Sequence, residues 1–149
     1  MTTDNRDDIV EVLLKQHERL RELCAAVQAA GEGQQPQLFG KLCRLVHLHE
    51  LGERAVVHPV TRDQTGAGGD AVAVARAGEE DRAGWAIAEL QDLGADHPAF
   101  AAKFTAFHRA VLDHAGHEER DEFPRLRLYV PIQRLYTMAD HLRNVQAMS

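Results

Sequence analysis

Aromatic residues make up only 5% of this 149-residue chain, and its cysteines number two. Two thiols cannot build a disulfide framework, so Cys24 and Cys43 read as small buried apolar groups and a stapled secreted scaffold is excluded. Basic residues are also short: 17 Lys and Arg stand against 23 Asp and Glu, a formal charge of −6. A nucleic-acid or anionic membrane surface asks for the opposite balance, so neither is expected as a partner. No run approaches the roughly 18 apolar residues of a membrane span, and the polar start Met1-Thr2-Thr3-Asp4-Asn5-Arg6 lacks the layout of a signal peptide. A cytoplasmic location is the expectation. No phosphate loop is present either, because Gly66 to Gly69 lie between helical segments rather than after a strand. The 44% of hydrophobic residues suffices for one core, hence one domain over residues 1–149. Against this plain background, nine histidines stand out.

Turn-formers divide the chain at Gly31 to Pro36, Thr65 to Asp70 and Gly94 to Pro98, with Pro124 and Pro131 bracketing a fourth break. Asp96 is placed to cap a helix beginning at Pro98. The segments between are rich in Ala, Leu, Arg, Glu and Gln and poor in β-branched runs, so all read as helices. Their stripes step by three and four: Val10, Leu13, His17, Leu20, Cys24, Val27; then Phe39, Leu42, Val46, His49, Glu53, Val56. A weaker third gives Glu80, Ala83, Ile87 and Leu90, and a fourth gives Phe100, Phe104, Phe107, Val111, His114 and Glu118. Four helices with short connections predict an all-α fold, an up-down-up-down antiparallel four-helix bundle over about 8–128. An additional C-terminal helix, about 131–147, carries Leu135, Met138, Leu142 and Val145 and is expected outside the bundle or across one end.

The pattern repeats internally. His49-x-x-x-Glu53 is followed by Pro59 ten residues after the histidine, and His114-x-x-x-Glu118 by Pro124 at the same distance. A similar step back from each reaches His17 on the first helix and Glu80 on the third. Residues four apart on an α-helix differ by about 40° and about 6 Å, so each His/Glu pair projects to a shared point. In an antiparallel bundle, His17, His49, Glu53, Glu80, His114 and Glu118 can then meet in one layer. Three carboxylates facing an apolar core each cost several kcal/mol unless neutralised, and these stripes hold no Lys or Arg. A bound cation is the natural compensation. Six His and carboxylate donors without a thiolate suit iron or manganese, with zinc possible, and suffice for two ions bridged by carboxylates.

Three stretches carry a resemblance: Leu14 to Leu20 around His17, His49-Glu50-Leu51-Gly52-Glu53 through His58-Pro59, and His114-Ala115-Gly116-His117-Glu118-Glu119 through Phe123-Pro124. Together they resemble the hemerythrin-like (HHE cation-binding) family over about residues 8 to 128. The resemblance implies a four-helix bundle holding a non-haem di-iron centre with oxo or hydroxo and carboxylate bridges. It assigns His17, His49, Glu53, His114 and Glu118 as iron ligands, with Glu53 and Glu118 bridging. The third helix departs from the family, reading Gly78-Glu79-Glu80-Asp81-Arg82 where oxygen carriers have histidine. Glu80 is the substitute ligand by its place on the stripe, with Asp81 as the alternative. A carboxylate there favours the ferric state and argues against reversible oxygen carriage.

Of the other histidines, His117 is placed as a seventh ligand or a base behind the ligands, and His141 as a closure of the open end. His58 occupies the slot of Phe123 and reads as a packing residue, while His47, His97 and His108 read as surface positions. Glu50, Glu119 and Glu122 extend the acidic character, either guiding cations inward or solvating helix ends. Trp85 is expected beneath a loop or the fifth helix. The function expected is binding of, or reaction with, O2, peroxide or NO, with peroxide disproportionation or iron oxidation as candidate enzyme activities. The alternatives are an iron, oxygen or NO sensing or storage module and a metal-free interaction bundle.

Overall fold

The computed structural model describes residues 6–149; the first five residues of the polar start lie outside the described residues. Helix α1 spans Ile9–Ala29, α2 Gln35–Gly52, α3 His58–Gln64, α4 Gly69–Leu93, α5 Phe100–His117, α6 Phe123–Tyr129 and α7 Ile132–Ala147. Among the described residues there is no strand, and no helix is long and apolar enough to cross a membrane. Asp8 starts α1 with a capping box: its side chain accepts from the Glu11 amide at 2.9 Å while Glu11 reaches back to the Asp8 amide. Glycine sets both ends of α4, where Gly68 (φ +89°) and Gly94 (φ +77°) take the left-handed region that L side chains rarely adopt.

Pro124 does not break the helix. The α2 rod runs through a π-helical turn, Glu53–Val57, into α3, and the α5 rod through a second, Glu118–Glu122, into α6. Proline lacks an N–H and its ring collides with the carbonyl four residues earlier, which here belongs to Ala55 or Arg120. A widened turn relieves both problems: the His58 amide donates to Glu53 O and the Phe123 amide to Glu118 O, five residues back. The repeated proline therefore buys a change of helical register just beyond each Glu. The chain turns only after Tyr129, at Val130 and Pro131. At the other loop, α5 begins at Phe100 and Asp96 caps nothing; the Ala99 amide is instead taken by His97 Nδ1 at 3.0 Å.

The four long rods pack as a bundle, and α7 lies against α1, α2 and the first π-turn, with Leu142 seated on Gly52. The core is split in two. One cluster joins Ile9, Leu13, Val57, Phe123, Leu126 and the α7 residues Met138 and Leu142. The other joins Leu20, Cys24, Leu42, Leu90 and the phenylalanines 39, 100, 104 and 107. Between them every rod contributes polar side chains. Trp85 is not beneath a loop: it is 71% exposed on the outer face of α4.

Candidate metal centre

The polar layer consists of His17 from α1, His49 and Glu53 from α2 and its π-turn, Glu80 from α4, and His114 and Glu118 from α5 and its π-turn. All but His114 are fully or almost fully buried; the His114 side chain is 12% exposed. His17 Nε2 lies 3.1 Å from Glu118 Oε1, His114 Nε2 3.3 Å from the same oxygen, and His49 Nε2 3.8 Å from it while also touching Glu53 Oε1. Asp81, the alternative to Glu80, points outward and pairs with Arg54 at 2.7 Å.

Two residues that the stripes did not select also enter the layer. His58 is buried, its Nε2 on Glu80 and its Nδ1 2.8 Å from Glu122 Oε2. Glu122 is fully buried and also accepts from Thr61 Oγ1 at 2.6 Å, so it is not a solvated helix end. On an uninterrupted α-helix, position 58 lies about 180° from position 49, facing away from the site. The π-turn restores one residue of register and brings His58 round. For Glu122 a signal was present: His114, Glu118 and Glu122 continue one four-residue step.

Each of the four histidines of the layer is held from behind. His17 Nδ1 donates to Glu119 at 2.7 Å, His49 Nδ1 to the Gln16 amide oxygen at 2.7 Å, His58 Nδ1 to Glu122, and His114 Nδ1 to Glu79 at 2.9 Å. Carboxylate and amide oxygens only accept, so each Nδ1 is the donor there, and every Nε2 faces the centre, where those of His17 and His58 meet Glu118 and Glu80. Glu79 also takes His117 Nδ1 at 2.5 Å and Arg76 Nε at 2.9 Å, which places His117 outside the layer. His141 is exposed on α7 and does not close the site.

These links extend the internal repeat. Gln16 and Glu79 precede His17 and Glu80, and they anchor His49 and His114, the corresponding histidines of the second helices. One position after each π-turn Glu, Glu119 faces His17 while Arg54 Nε approaches Glu80 at 3.9 Å. Where α4 has a carboxylate instead of an imidazole, its neighbour is accordingly a cation instead of an anion.

The centre is not satisfied by protein alone. His49 Nε2, both oxygens of Glu53, Glu80 Oε2, His114 Nε2, Glu118 Oε2 and Glu122 Oε1 are buried without a hydrogen-bond partner. Orphaned acceptors cost about 1–3 kcal/mol each, more when charged. Several groups of ligand atoms fall within 4.8 Å of one another: His17, His49, Glu53 and Glu118; Glu53, His58, Glu118 and Glu122; Glu53, Glu80 and His114. Glu53 belongs to all of them, as a bridging carboxylate would. The donor set therefore fits hard or intermediate cations.

The electrostatics of the layer carry the same frustration. Burial pushes the Glu80 carboxyl up, reinforced by the negative charge of Glu53. Burial opposes ionisation of Glu53 as well, but His49, His58 and His114 outweigh it and draw Glu53 down to about 2. His17 is lowered to about 4 by burial and by neighbouring His49, which keeps it in the neutral, ligating form. Beside the layer, a small cavity of about 20 Å³ is lined by His17, His49 and His114 together with Leu20, Val46 and Val111.

A helical bundle with a buried His/carboxylate layer defines the class of helix-held metal-binding proteins. The chain belongs to the hemerythrin HHE cation-binding domain family, whose pattern it matches over residues 8–126. The same fold is seen in the crystal structure of a Hemerythrin HHE cation binding domain-containing protein, an Rv2633c homolog, from Mycobacterium kansasii. That likeness has a TM-score of 0.82 at 17% identity and covers 96% of this chain and 90% of the other, so it speaks to fold alone. No curated protein matches the chain.

Proposed function

We propose that this chain is a non-haem di-iron protein that binds or turns over a small oxidant or diatomic molecule, O2, peroxide or NO, in the cavity beside its polar layer. His17, His49, Glu53, Glu80, His114 and Glu118 would hold the ions, with Glu53 and Glu118 the carboxylates available to both. The observation that carries the reading is the set of buried, partnerless nitrogen and oxygen atoms converging from three of the four rods, with His17 of the remaining rod facing them. A pair of iron ions supplies the electron exchange that the side chains lack.

The chain's own residues set what can react. A space of about 20 Å³ takes roughly one water-sized molecule, so larger substrates are excluded by Leu20, Val46 and Val111. The hydrogen bonds behind each imidazole fix its ring against rotation, and the three carboxylates of the proposed ligand set favour the higher oxidation state. Redox turnover, such as 2 H2O2 giving 2 H2O and O2, follows more readily from that balance than reversible oxygen carriage.

Iron-loaded protein mixed with peroxide in an oxygen-electrode cell should release oxygen in proportion to bound iron. Inertness toward both peroxide and ferrous iron sinks the enzymatic reading. A sensing role is favoured by one feature, the position of the layer between two hydrophobic clusters, which couples occupancy to core packing. It predicts a large stability change on chelation without turnover.

A further inference from the structure

The repeat that builds the layer is broken at two places, and the breaks compensate. His17 on α1 corresponds to Glu80 on α4, and Phe123, just after the second π-turn, corresponds to His58, just after the first. In one half, Phe123 stacks on the His17 ring with centroids 5.4 Å apart. In the other, His58 meets Glu80. The imidazole missing from α4 has moved to the neighbouring rod.

Resting on the di-metal reading above, we propose that His58 is itself a metal ligand and supplies the second ion with the imidazole that α4 lacks. The layer then holds four imidazoles, His17, His49, His58 and His114, and Glu80 is an added carboxylate rather than a replacement for a lost nitrogen. His58 is constructed like the other three. Its Nδ1 is anchored to a fully buried carboxylate, Glu122, which Thr61 fixes in turn, and its Nε2 faces the centre, 3.7 Å from Glu53 Oε2. A residue that merely packed against Pro59 would need neither link. The register shift of the π-turn also gains a purpose, since without it this ring faces away from the site.

The test uses zinc as a redox-silent probe of the whole chain. Wild type should retain two zinc ions after desalting, and His58→Ala one, with the second ion bound at least a hundredfold more weakly. A hollow of about 200 Å³ opens over His58 between Arg54, Arg62 and Ala73, so added imidazole can enter the space vacated and should restore the second ion. A structural role would not give that rescue. If wild type and His58→Ala both keep two ions at equal affinity, the assignment of His58 is wrong and the di-metal reading stands. If wild type keeps fewer than two, both fail. Should His58→Ala not fold, as read by circular dichroism, a crystal structure of zinc-loaded wild type decides: Nε2 about 2.1 Å from an ion supports the assignment, and Nε2 still on Glu80 with no ion beside it overturns it.

Discussion

Glu118→Met separates the cost of the metal layer from its benefit. Glu118 is fully buried, three histidine Nε2 atoms face one of its oxygens, and its other oxygen has no partner. Without a cation the orphaned oxygen of this buried carboxylate costs about 1–3 kcal/mol, which an apolar side chain of similar size removes. With a cation at a thousandfold excess over its dissociation constant, binding to the native state adds about 4 kcal/mol. For a chain of this length each kcal/mol moves Tm by about 2–4 °C. In chelator the variant should therefore melt above wild type by at least a few degrees. In saturating iron or zinc, wild type should gain about 8–16 °C and the variant little, so the order of the two melts reverses. Differential scanning calorimetry in the two conditions reads this directly. A variant less stable than wild type in chelator, or one that keeps the full metal-induced shift, would refute the reasoning.

Further outcomes follow from the layers around the centre. Gln16→Leu and Glu79→Leu remove the acceptors behind His49 and His114, and each should weaken metal binding about 10–100-fold in a competition titration while leaving helicity unchanged. Gly52→Ala should destabilise by about 1–3 kcal/mol in urea melts, because its Cβ would overlap the Leu142 side chain that docks α7. Burial raises the Cys24 thiol to about 12 from an ordinary value of 9.0 and Cys43 to about 11, so at pH 8 their thiolate fractions fall roughly a thousandfold and a hundredfold. Iodoacetamide should leave the native protein unmodified for hours and alkylate both cysteines in urea; equal rates in the two conditions contradict this.

The rods were legible because a helix that faces a core repeats at 3.6 residues, and Leu13, His17, Leu20 and Cys24 keep that rhythm without interruption. The same rhythm selects His17, His49, Glu53, Glu80, His114 and Glu118, which the fold brings into one layer. It fails where the helix stops being α. Pro124 reads as an end when the chain is assumed to have only two options at proline, and His58 reads as a packing residue because a 3.6-residue period turns it away. The repeated proline was visible ten residues after each histidine, but its effect on register is a property of the widened turn and not of the spacing. Trp85 went astray for another reason: a large apolar residue off the stripe of α4 has no neighbour to cover it.

The count of metal ions bears most directly on the central claim. Protein loaded anaerobically with ferrous iron, freed of excess and weighed by native mass spectrometry should carry two iron ions per chain. Less than one iron per chain, with the helices intact by circular dichroism, would contradict the assignment of the polar layer as a metal centre.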